Sequence, residues 1–132
     1  MPAAPPARRR LRRLGLVAVL SRMQEGAAPG DALAETVAEI AATTHFTSLN
    51  CLLLTSDALY AVSRVNPAAS LEFDEGPDYY DLRYRVTGDA VVVASSGWGR
   101  DWQELANGDL LTVRRGTLET RIESGSRLLA VR

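Results

Sequence analysis

DAVVVASSGWGRDWQELANGDLLTVRRG, residues Asp89–Gly116, is the segment around which this chain is organised. It opens with the unbroken β-branched run Val91-Val92-Val93, which reads as a strand buried on both faces. A glycine-punctuated loop carrying Trp98 and Trp102 follows, and then the turn Asn107-Gly108-Asp109. A second apolar run, Leu110-Leu111-Thr112-Val113, returns and ends at Arg115-Gly116. Strand, tryptophan loop, strand and turn predict the middle of an antiparallel meander. None of its residues is an evident nucleophile, general base or metal ligand.

Upstream, Tyr79–Val86 alternates with period two. Tyr80, Leu82, Tyr84 and Val86 fall on one face, Tyr79, Asp81, Arg83 and Arg85 on the other. The polar, acidic segment Asn66–Pro77 reads as a loop. Before it, Ser48–Thr55 and Ala58–Val65 predict a hairpin closed at Ser56-Asp57. The first part of the chain has helical period instead. Leu16, Val19, Leu20 and Met23 define an inward face between Arg8 and about Glu25, although the arginines crowd the unfavourable positive pole. After the turn Gly26–Gly30, Asp31 is expected to cap a helix to about Thr43, with Leu33, Val37 and Ile40 inward. Met1–Ala7 is proline- and alanine-rich and expected to be disordered. Downstream, Thr117–Ser124 supplies a last strand with Leu118 and Ile122 on one side. The fold class expected is α+β, a helical hairpin packed on an antiparallel β-sheet meander. The organisation is a disordered, arginine-rich leader over 1–15, one domain over 16–125 and a short tail over 126–132. A strand apolar on both faces calls for a second covering layer, and two helices cannot supply it.

The 132 residues suit one domain with a real core, and the hydrophobic fraction of 46% is that of a globular chain. Fifteen basic and 16 acidic residues leave a net charge of −1, which gives no long-range field toward nucleic acid or an anionic membrane. The absence of lysine excludes Schiff-base and P-loop lysine chemistry. One cysteine, Cys51, excludes an intrachain disulfide, and one histidine, His45, cannot complete a zinc site with it. The arginines at 8–13 followed by Leu14–Leu20 imitate a targeting segment. However, Ser21-Arg22-Met23-Gln24 interrupts both the apolar core and the cleavage site a signal needs. The expectation is a cytoplasmic protein without cofactor, metal, nucleic-acid partner or membrane.

The order of these elements resembles a known family. A helical hairpin precedes Leu49-Asn50-Cys51-Leu52-Leu53-Leu54, a turn and Leu59-Tyr60-Ala61-Val62-Ser63-Arg64. A tyrosine-rich strand, Val91-Val92-Val93-Ala94-Ser95, Trp102 and Gly108-Asp109-Leu110-Leu111-Thr112-Val113 follow. From about Val17 to Gly125 this is similar to the C-terminal half of class II glutamine amidotransferase domains, nearest the stand-alone amidohydrolases of the ergothioneine-pathway type. The resemblance implies part of an N-terminal-nucleophile αββα sandwich, whose two facing sheets account for a doubly apolar strand. It also implies a reaction in which an amino-terminal cysteine thiol attacks a glutamine or γ-glutamyl amide. The cysteine's α-amino group serves as base and an Asn-Gly pair as oxyanion hole.

The chain departs from that pattern where the chemistry lies. Pro2 follows Met1 where the nucleophile should stand, and the only Asn-Gly, Asn107-Gly108, is in a late turn. The arginine run replaces the acidic segment expected before the first helix, and Ser95-Ser96-Gly97 stands where relatives carry Ser-Glu-Pro. No catalytic residue is carried over. The expectation is an incomplete domain that begins partway through a longer one, inactive alone. It would depend on a chain supplying the missing half, or self-associate. The alternative is a small non-catalytic protein-binding or scaffold module.

The remaining residues have plain readings. Cys51 lies inside a leucine-rich strand, where burial keeps a thiol protonated and inert. His45 sits at the helix-to-strand junction. Trp98 and Trp102 flank the Gly97/Gly99 loop and are read as core lids, with contact to a partner as the functional possibility. Glu72, Asp74, Glu75, Asp78 and Asp81 lack calcium-loop spacing and read as a solvated surface.

Overall fold

The structure, a computed structural model, describes residues 6–68, 81–97 and 99–124, with side chains described from residue 13 onward. Two helices, α1 (Pro6–Gln24) and α2 (Pro29–Thr43), precede seven strands. These are β1 (Cys51–Leu54), β2 (Ala58–Val62), β3 (Leu82–Val86), β4 (Val91–Ala94), β5 (Gln103–Leu105), β6 (Leu110–Arg114) and β7 (Thr120–Glu123). The α+β class and the helical hairpin stand, but the single meander does not. The strands divide into a four-stranded antiparallel sheet, β1-β2-β6-β7, and a three-stranded one, β4-β3-β5. The central stretch is therefore split, with β4 and β5 in the small sheet and β6 returning to the large one beside β2.

The layers follow from alternation along β2 and β6. Val62 and Leu110 face the helices with Val19, Ala32, Leu33, Ala34 and Val37. Ala61, Leu111 and Val113 face the other way and meet Leu82, Tyr84 and Leu105 of the small sheet. The second layer that the valine run calls for is thus made from this chain's own strands. That run is nonetheless not buried on both faces: β4 is an edge strand, with Val91 and Val93 inward and Val92 exposed.

Helix α2 lies closest to the sheet because its inner face is built of small residues. A methyl group on Gly30 would stand only 3.2 Å from the Tyr60 ring and 3.4 Å from Leu110. Pro29 opens this helix in the position proline favours. Asp31 is not its cap; Ala28 is, without a side-chain bond, and Asp31 lies in the first turn, where its charge suits the helix dipole. Helix α1 packs across α2. Arg22 clasps the hairpin, donating to Thr36 Oγ1 at 2.8 Å and pairing with Glu39 and, at 3.7 Å, Glu35. Because α1 rests mainly on one helix, its buried strip is narrow. Val19 is buried, whereas Leu16 and Leu20, expected inward, are exposed together with Leu14 and Val17. The helix starts at Pro6, so the arginine run falls within it rather than in a disordered leader ending at residue 15.

The expected disorder of 1–5, the acidic loop with Glu72, Asp74, Glu75 and Asp78, the residues Tyr79 and Tyr80, and the tail 126–132 lie outside the described residues. Among the described residues no helix is long and apolar enough to cross a membrane.

Candidate functional site

Cys51 points from β1 toward the helical hairpin, packed with Leu53, Tyr60 and the buried face of α2. Burial pushes its thiol up from 9.0 to about 11. At neutral pH the thiol is therefore held in its protonated, weakly nucleophilic form. His45 is exposed just beyond α2. Among the described residues, no three His, Cys, Asp or Glu side chains gather closely enough to hold a metal ion.

Of the two tryptophans, Trp98 lies outside the described residues, and Trp102 has an internal task. The loop from β4 to β5 crosses the outer face of β3, and the Trp102 ring lies over the Arg85 guanidinium, 4.6 Å from its centroid. The ring also presses on the backbone at Gly97, where a methyl group would fall 2.5 Å from Cε2. Asp101 and Gly99 turn the chain with φ of 69° and 87°. A half-buried ring held between an arginine and a glycine is a lid on the small sheet, so its surface is largely spent within the chain.

A polar clasp that no local sequence pattern predicts lies beyond the end of β2. The Asn107 amide acts as a one-residue strand against Val65: Oδ1 accepts from its N–H at 2.9 Å and Nδ2 donates to its carbonyl at 2.9 Å. Asn50 Oδ1 accepts from Arg64 N–H at 2.8 Å, and Gly108 N–H donates to the buried Ser63 carbonyl. Arg64 lies 5.0 Å from the Phe46 centroid. These groups satisfy backbone polar atoms where β2 ends and β6 begins. The signal in the sequence is the Asn107-Gly108 turn, in which the asparagine side chain, and not only its backbone, makes the contact.

An apolar cleft of about 480 Å³ lies at the open end of the gap between the sheets, lined chiefly by Leu54, Leu59, Val91, Val113 and Leu118. Arg114 and Arg115 stand on its rim. The small sheet does not reach across β1, so Leu52 and Leu54 lie on the inter-sheet face yet are 57% and 78% exposed. Apart from Thr55, Arg114 and Arg115, the side chains lining this cleft are apolar.

Compared with family models, curated proteins and solved structures, the chain matches none.

Proposed function

We propose that this chain is a partial class II glutamine amidotransferase-like domain that contributes structure and no catalytic group, and that it works by joining a complementing polypeptide. One observation carries the reading. A helical layer and two facing antiparallel sheets are stacked in that order, with the inter-sheet face left open along β1, and this supports reading them as three of the four layers of an N-terminal-nucleophile sandwich. An apolar face of that kind is costly in water: fully burying a leucine contributes roughly 1.5–3 kcal/mol, and Leu52 and Leu54, 57% and 78% exposed, forgo the larger part of it. A complementing strand over Leu52 and Leu54 recovers much of that.

The state of Cys51 supports the absence of catalysis, since its thiol is buried and protonated. In the rival reading, a small non-catalytic scaffold module engages a protein partner through its Trp98/Trp102 loop or its apolar face; the engagement of Trp102 with Arg85 and Gly97 leaves that ring little surface for such a contact. The test is glutamate release from glutamine by the purified chain. The expected result is no turnover above buffer for wild type and Cys51→Ala alike; turnover abolished by that substitution would overturn the proposal.

A further inference from the structure

We propose that two copies of this chain pair antiparallel through β1, joining their four-stranded sheets into one continuous sheet. The two outer strands of that sheet differ in kind. β7 carries Arg121 and Glu123, the charges that discourage edge-to-edge pairing. β1 reads Cys51-Leu52-Leu53-Leu54, and no charged residue occurs between His45 and Asp57.

The ladder with β2 shows which backbone groups are already used. Leu49 N–H donates to the Arg64 carbonyl at 2.7 Å and Thr55 N–H to the Ala58 carbonyl at 2.9 Å. With the register Cys51↔Val62 and Leu53↔Tyr60, the odd-numbered residues face β2. Antiparallel alternation then turns the N–H and C=O of Leu52 and Leu54 to the open edge. These are the two residues of β1 whose side chains are exposed.

The edge is self-complementary. A second copy laid antiparallel about Leu53 sets Leu52 opposite Leu54 of the other copy, and Leu54 opposite its Leu52. Both are hydrogen-bonded pairs in the alternation, and the four exposed leucines come together on one face of the joined sheet. The operation is a two-fold axis, so the contact closes at two copies. The same register brings Asp57 of one copy beside Leu49 of the other, whose ladder neighbour is Arg64. The nearest charges across the axis therefore have opposite signs, and a net charge of −1 adds little repulsion between copies. This inference stands on the strand edge and does not depend on the family reading.

Sedimentation equilibrium on the full chain across a range of micromolar concentrations tests it. The expected mass approaches twice 14.3 kDa as concentration rises. Leu52→Glu and Leu54→Arg should each weaken association about tenfold or more, and the double variant should regain about tenfold, because opposed positions then hold opposite charges twice over. Circular dichroism checks that the variants remain folded, which the exposure of both side chains favours. Amide hydrogen exchange on the wild type adds a readout free of mutation, with Leu52 and Leu54 protected in concentrated and not in dilute solution. A chain that stays monomeric throughout, grows beyond two copies, or binds no more tightly as the double variant than as either single one overturns the proposal.

Discussion

Replacing Gly97 by alanine should unseat the Trp102 ring, and the geometry sets the size of the effect. The added methyl would lie 2.5 Å from Cε2 and 2.7 Å from both Cδ2 and Nε1, closer than any side-chain carbon tolerates. The φ of Gly97 is not in the left-handed region, so the cost is steric. Two outcomes compete. If the ring stays, the loop backbone must shift, an overpacking cost of roughly 1–3 kcal/mol. If the ring leaves, its stacking over Arg85 at 4.6 Å is lost, about 0.5–2 kcal/mol, together with the burial of the ring. Either route gives about 2 kcal/mol, which for a chain of this length lowers Tm by roughly 6–10 °C. Differential scanning calorimetry measures the shift, and tryptophan emission in a Trp98→Phe background reports whether the ring has moved into water. A double-mutant cycle with Trp102→Leu should recover most of the loss, because the clash then has no ring to meet. Additive effects of Gly97→Ala and Trp102→Leu would refute the reasoning. Gly116→Ala is the contrast: nothing lies within 4 Å, and its φ of 86° costs only the left-handed conformation, about 1 kcal/mol.

Two further outcomes are expected. Asn107→Ala leaves both the N–H and the carbonyl of Val65 without their amide partner, which should cost about 1–3 kcal/mol in urea unfolding and raise amide exchange at Val65. Unchanged exchange there would show that the clasp carries nothing. The Cys51 thiol should react slowly with a disulfide reagent at neutral pH and faster as pH climbs toward about 11. Its folded pKa lies above the ordinary thiol value of 9.0, so the fold holds the proton more tightly than the unfolded chain does. The linked stability is intact below about 9 and is lost as pH rises toward 11, a trend that Cys51→Ala should remove from a pH series of unfolding midpoints.

Much of the local structure was legible in the residues. The alternation of Leu82, Tyr84 and Val86 predicts β3, the turn Ser56-Asp57 sets the β1–β2 hairpin, and the spacing of Leu33 and Val37 places the buried face of α2. The run Val91–Val93 marked a strand but misled about its surroundings. A continuous apolar run reads as buried on both faces, whereas Val92 is exposed at the edge of a three-stranded sheet. Similarly, Leu16 and Leu20 shared a helical face with Val19. Which part of that face is buried depends on how α1 crosses α2, and no periodicity encodes that. The Asn107 clasp reaches 42 residues back along the chain, beyond any local pattern.

Sequence by itself determined where both helices and six of the seven described strands lie, because backbone preference and alternation are local properties of neighbouring residues; β5 falls in the segment expected to be the tryptophan loop. Tertiary structure decided that Leu110–Arg114 leaves its neighbour β5 to pair with β2, dividing one expected sheet into two facing ones. Pairing between distant strands is chosen by the faces that can be buried together. Only the assembled layers show that Leu52 and Leu54 remain uncovered at an edge whose hydrogen-bonding groups face outward.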